Sequence, residues 1–143
     1  MGGAHPWREF RGHADWALVW ADLGDDEMGW TDWGTRTVTL DKRLRQAERR
    51  CTIAHENLHI SRGPVPDDPV YVAREELAIE KLVPRALIPL DCLCETLAWA
   101  WTEQEAAEDL WVDRQTLNTR LKHLHPAEAA VLRRRLEHRE DTA

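Results

Sequence analysis

No stretch of the chain approaches 18 consecutive apolar residues, so no membrane-spanning helix is expected. The first ten residues, MGGAHPWREF, hold no apolar segment of the kind a secretory signal needs. Pro6 stands where a myristoylation pattern wants Ser or Thr. Cysteine is scarce and odd in number: Cys51, Cys92 and Cys94. The last two are too close to pair easily, so a disulfide framework is not expected and a reducing, cytoplasmic setting is. Basic charge is also short, with 19 Lys and Arg against 26 Asp and Glu and a formal net charge of −7. That argues against non-specific nucleic-acid binding by the whole chain, although a local patch could still bind. The rest is ordinary for a globular protein, 43% hydrophobic and 31% charged. A length of 143 residues suits one domain with an appended helical subdomain.

What is present is concentrated in His55-Glu56-Asn57-Leu58-His59. On an α-helix, residues four apart share a face about one turn apart, so His55 and His59 can reach one metal ion. Glu56 is rotated by about 100° from His55 and is not a third ligand from that face. It can instead lean over the open position of the ion and take a proton from water there. Chance matches to so short a pattern are common, so its surroundings matter. Leu44, Ala47, Cys51, Ala54 and Leu58 recur at spacings of three and four, which predicts a helix over 43–60 with Asp41 as N-cap. Cys51 to Ala54 are mostly small or apolar, as suits a helix buried beneath a site.

A third protein ligand is needed, with a fourth position left to water. The next expected helix offers Glu75, Glu76 and Glu80. Glu76 is favoured, with Glu80 one turn on as hydrogen-bond acceptor for a ligand histidine. The plainer alternative is a solvated face paired with Arg74 and Lys81. Cys51, one turn before His55, is a weaker candidate for a fourth ligand that would close the site and make it structural. The donor set favours zinc (Zn2+), leaving manganese or iron open.

The stretch from Glu48 to Pro89, comprising ERRCTIAHENLH, a short loop, REELAIEKL and the ending Ala86-Leu87-Ile88-Pro89, resembles the ImmA/IrrE family of metallopeptidases. It is most similar to the short members carried by actinobacterial phages and prophages. The resemblance implies an α+β fold: a minimal, gluzincin-like zincin domain with an HExxH helix, a glutamate helix and a helix-turn-helix-like tail. It implies zinc held by His55, His59 and Glu76, with Glu56 as general base. It also implies cleavage of a helix-turn-helix repressor, which derepresses a phage or mobile element. Asn57 departs from the Leu usual there, Ile79 from a small Ala, and Pro84 from an uninterrupted helix. Pro84 predicts a break or kink near Val83.

The remaining chain reads as follows. Residues 1–14 are polar and loose, and three strands forming an antiparallel meander follow between Asp15 and Leu40. The tryptophans, five of them at or before Trp33, are assigned to core packing. Gly29 to Thr35 is placed at the rim of the cleft, where an extended peptide can add as a strand. Gly63 to Pro69 is a stiff loop, and Tyr71 is assigned to packing rather than oxyanion binding. The metallopeptidase core is expected over 1–89 and the helical tail over 90–143. In the tail, Thr102 and Glu105 form a capping box, and 105–121 reads as helix, turn, helix. Arg114, Gln115, Asn118 and Lys122 face outward there, which raises the alternative of a DNA-binding or repressor-binding regulator. Residues 103–123 carry five acidic and three basic side chains, poor for binding phosphate. A last helix over 126–140, with Arg133, Arg134, Arg135 and Arg139 set against Glu128, Glu137 and Glu140, is read as solvated.

Overall fold

The computed structural model describes residues 5–142, with side chains through 138; Arg139 and Glu140, read above as part of a solvated helix, lie outside the described side chains. The fold is α+β. Among the described residues there are seven helices and a three-stranded mixed sheet: α1 (Pro6–Arg11), β1 (Ala17–Ala21), β2 (Gly29–Asp32), β3 (Thr37–Asp41), α2 (Gln46–Arg62), α3 (Pro69–Leu87), α4 (Leu90–Trp99), α5 (Glu103–Asp109), α6 (Arg114–Lys122) and α7 (Pro126–Thr142). None of the described helices is long and apolar enough to cross a membrane. The chain divides into two compact units, His5–Val83 and the residues from Pro84 onward, with the division inside α3.

In the first unit the strand order is β1-β3-β2, with β1 parallel and β2 antiparallel to β3. The expected antiparallel meander is thus corrected. The turn after β2 is tight, since the Asp32 carboxylate accepts from the backbone N–H groups of Gly34 and Thr35. It delivers β3 back alongside β2. Strand β1 then takes the other flank of β3, which buries Val38 and Leu40 completely in the centre of the sheet. These two pack with Phe10 and Ile53, flanked by Trp7, Trp16, Leu18 and Ile60.

Residues 6–11, expected to be loose, form α1. Pro6 suits a first helical position, and Pro6 and Phe10 are buried. Asn57, the departure noted above, explains the docking of this helix: its buried side-chain Nδ2 donates to the Pro6 carbonyl at 2.8 Å.

Helix α2 starts at Gln46, not at Arg43, and Asp41 is not its cap. Asp41 ends β3, and its carboxylate accepts from the Arg43 backbone N–H and guanidinium, both at 2.9 Å. Those bonds hold its pKa down at about 2. Arg43 also reaches Asp22 and Asp25, tying down the loop after β1. Helix α2 is buried through Cys51, Thr52, Ile53 and Ala54 and stops before Gly63, whose φ of +89° suits glycine.

Helix α3 runs unbroken past Val83 to Leu87, with Pro84 inside it. Pro84 lies near the end, so only the bond to the Glu80 carbonyl is forfeited, and the helix closes with Ile88 N–H donating to Pro84 O at 2.9 Å.

In the second unit Thr102 caps α5, accepting from Glu105 N–H at 3.1 Å. Of the five residues expected to form the core of the helix-turn-helix-like unit, Ala107, Leu110, Val112 and Leu117 are buried and Leu121 is only partly so. Glu128 is not solvated. It pairs with Arg85 at 2.7 Å and with Arg120, only 2% exposed, at 2.8 Å. The aromatic expectation holds for Trp7 and Trp16, which pack against the core, and fails for most of the others. None of the eight tryptophans is fully buried, and Trp101 is 86% exposed. Tyr71 is likewise half exposed rather than packed.

Candidate metal centre

Helix α2 sets His55 and His59 one turn apart, with ring centroids 5.0 Å apart and Nε2 atoms 3.2 Å apart. Helix α3 brings Glu76 across to both. Its Oε2 lies 3.1 Å from His55 Nε2, and its Oε1 lies 2.8 Å from His59 Nε2. Three donor atoms therefore converge on one point and could hold a metal ion.

Two arguments bear on whether the group suits an ion. Ligands about 2.0–2.2 Å from a tetrahedral ion stand roughly 3.3–3.6 Å apart. The observed separations of 2.8 to 3.2 Å are a little tighter. An opening of about 0.1 to 0.8 Å, largest for the His59–Glu76 pair, would admit the ion at that geometry. Protons alone serve the arrangement less well. If both rings donate to Glu76 through Nε2–H, two N–H groups crowd together on nitrogens only 3.2 Å apart. A cation attracts all three atoms at once.

Glu56 is 4% exposed, beside this group rather than in it. Its Oε2 accepts a short hydrogen bond from the Thr31 hydroxyl. Burial pushes the Glu56 carboxyl above its ordinary pKa, against the lowering pull of that bond. A buried carboxylate of raised basicity, one residue along from His55, is equipped to accept a proton from water.

The cleft holding these groups has a volume of about 450 Å³ and lies wholly within the first unit. Glu27, Gly29, Trp30, Thr31 and Trp33 line its other side, so the expected Gly29–Thr35 rim is met by Gly29, Trp30, Thr31 and Trp33 and not by Gly34 or Thr35. Gly29 explains how β2 comes so close to α2. A Cβ there would stand 2.9 Å from Thr39 O and Leu40 Cδ2 and 3.0 Å from Thr52 Cγ2. Two residues along, on the same strand face, Thr31 then reaches Glu56. The period-2 alternation through Gly29 and Thr31 carried that signal, but the sequence did not reveal that the helix partner was Glu56.

The other candidates lie elsewhere. Glu75 pairs with Arg62. Glu80 is exposed and does not line the cleft, so it does not orient a histidine there. Cys51 is buried and stands outside the three-residue group, which removes the closed, four-ligand site. The chain matches no protein-family model, no curated protein and no solved structure.

Proposed function

We propose that the chain is a zinc-dependent endopeptidase of the HExxH type, working as the ImmA/IrrE resemblance implies, with a helix-turn-helix repressor as its protein substrate. One observation carries the reading: His55, His59 and Glu76 converge while the buried Glu56 stands beside them in the same cleft. Those three residues would hold Zn2+. When bound, the ion supplies Lewis acidity, which acidifies a water and polarises a carbonyl.

The chain's own groups do the rest. Thr31 engages Oε2 of Glu56, which leaves Oε1 for the attacking water. Glu56 takes a proton from that water as its oxygen bonds to the peptide carbonyl carbon. It then gives the proton to the amide nitrogen as the C–N bond breaks, so one carboxylate serves as base and then acid. Strand β2 is an edge strand along the cleft. An extended peptide can lie antiparallel or parallel to it and borrow its unpaired backbone groups.

The rival reading, a DNA-binding regulator, has less support in the tail. Arg114 is engaged by Glu103 at 3.0 Å, and Arg120 is buried against Glu128. That leaves few free cations on the exposed face of α6 for phosphate.

The test incubates the zinc-loaded chain with an undigested bacterial proteome and labels new amino termini. New termini confined to helix-turn-helix repressors are expected with wild type. Glu56→Gln should retain the metal and lose cleavage by about 100-fold or more. New termini at equal levels with wild type and Glu56→Gln, or none with a wild type that carries its zinc, would overturn the proposal.

A further inference from the structure

Helix α3 carries Glu76 to the two histidine rings, yet little packing holds that part of the helix. From residue 69 through 78 no residue is buried, and Val70 and Leu77 are 63% and 58% exposed. Burial begins only at Ile79. Interdigitating side chains, which ordinarily fix how a helix is turned about its axis, are missing there. Among the described residues, the side-chain bonds that join this half of α3 to α2 are those of Glu75 and Glu76. Arg62 Nε donates to Glu75 Oε1 at 2.5 Å, and Arg62 Nη2 donates to Glu75 Oε2 at 3.2 Å. The Glu75 side chain is only 14% exposed. Open surface ion pairs contribute little, but a guanidinium fork on a shielded carboxylate fixes an orientation as well as a distance.

This pair stands immediately beside the three converging donor atoms. Arg62 follows His59 by three positions and shares its side of α2, and Glu75 directly precedes Glu76. Small rotations matter at such a site. A side-chain carboxylate about 5–6 Å from the helix axis moves by about 1 Å when the helix turns by about 10°. Metal–ligand distances hold to within about 0.2 Å. With Glu76 as the sole anchor, the ion itself would have to order the helix, at a cost in affinity. We propose that Arg62 and Glu75 are positioning residues for the metal site: their ion pair sets the rotation of α3 and presents Glu76 before the ion binds. The proposal rests on the metal site of the reading above and not on peptide cleavage.

Two simpler roles predict a different sign. If Arg62 acted through its charge alone, removing it would tighten the hold on a cation, and neutralising Glu75 would loosen it. If Glu75 were itself a ligand, freeing it from Arg62 would also tighten binding. A positioning pair requires that both single substitutions weaken binding, although they change the charge in opposite directions.

The test titrates Zn2+ into the full chain in competition with a chromophoric chelator, for wild type, Arg62→Gln, Glu75→Gln and Arg62→Lys, with far-ultraviolet circular dichroism to check the helices. Groups that orient metal ligands are worth about 10–100-fold in affinity, and a pair acting at one remove belongs at the low end. Both Gln variants should therefore bind Zn2+ about tenfold more weakly than wild type. Arg62→Lys, which keeps the charge and loses the fork, should bind about threefold more weakly. In a Glu76→Ala chain, whose residual hold on Zn2+ comes from the two histidines, Arg62→Gln should weaken binding no further. Unchanged or tighter binding by Arg62→Gln, or unchanged binding by Glu75→Gln, would overturn the positioning role and leave the metal site in place. A tenfold loss in the Glu76→Ala chain as well would overturn it in favour of a general role in folding. A well-folded wild type that binds no Zn2+ would remove the metal site itself, and the proposal with it.

Discussion

Glu128, in the first turn of α7, accepts from Arg120 Nη2 at 2.8 Å, from Arg85 Nη1 at 2.7 Å and from the His125 backbone N–H at 3.1 Å. Arg120 is 2% exposed, and its Nε donates to the Ile88 carbonyl at 2.9 Å. Glu128→Gln keeps the shape and one acceptor but leaves a buried guanidinium without its counter-charge. Removing one partner of a buried pair costs about 3–5 kcal/mol, and the retained acceptor puts this case at the low end. In a unit of this size each kcal/mol moves the midpoint by about 4–8 °C. Calorimetry or far-ultraviolet circular dichroism should therefore show a fall of roughly 12 °C or more. Replacing both charges, as Arg120→Met with Glu128→Leu, should restore most of it, because the desolvation penalty leaves with the charges. The pH dependence has a fixed sign. Arg120, helped by Arg85, holds the Glu128 carboxyl down at about 2 against an ordinary 4.5. The unfolded chain takes up that proton first, so the contribution is complete above about pH 4.5 and is lost as pH falls toward 2. Glu128→Gln should flatten that acid limb. A midpoint unchanged at neutral pH, or parallel acid limbs in the two proteins, would refute the reasoning.

Two further substitutions test the cleft. Thr31→Val should lower kcat about tenfold with little change in KM, and Thr31→Ser should recover it, since only the hydroxyl touches Glu56; steady-state kinetics on a peptide identified by the proteome experiment decide this. Gly29→Ala should destabilise the first unit by about 1–3 kcal/mol in urea, because its Cβ would meet backbone and two packed side chains at 3.0 Å or less.

The parts legible in the sequence are those set by short-range spacing. His55 and His59 meet because four residues make about one helical turn, and Thr102 caps α5 because its neighbours within three residues decide the matter. Glu76 was a choice among three glutamates. The structure separates them by what each touches: Glu75 holds Arg62, Glu80 faces solvent, and Glu76 faces both rings. The illegible parts are long-range. The parallel pairing of β1 with β3 depends on which strand is buried on both faces, not on chain order. Helix α1 owes its docking to Asn57, some 50 residues away, and looked like a polar leader. Glu128 looked solvated because its partners lie on α3 and α6. The tryptophans divided, since hydrophobicity alone cannot distinguish an indole that packs on the core, as Trp7 and Trp16 do, from one left exposed, as Trp101 is.

The most direct test of the central claim is the zinc content per folded chain, measured in freshly purified wild type, His55→Ala and Glu76→Ala after equilibration with equal Zn2+ and removal of the free ion. The account predicts about one bound zinc in wild type and its loss in both variants. A well-folded wild type that binds no zinc, or one whose zinc survives both substitutions, would contradict it.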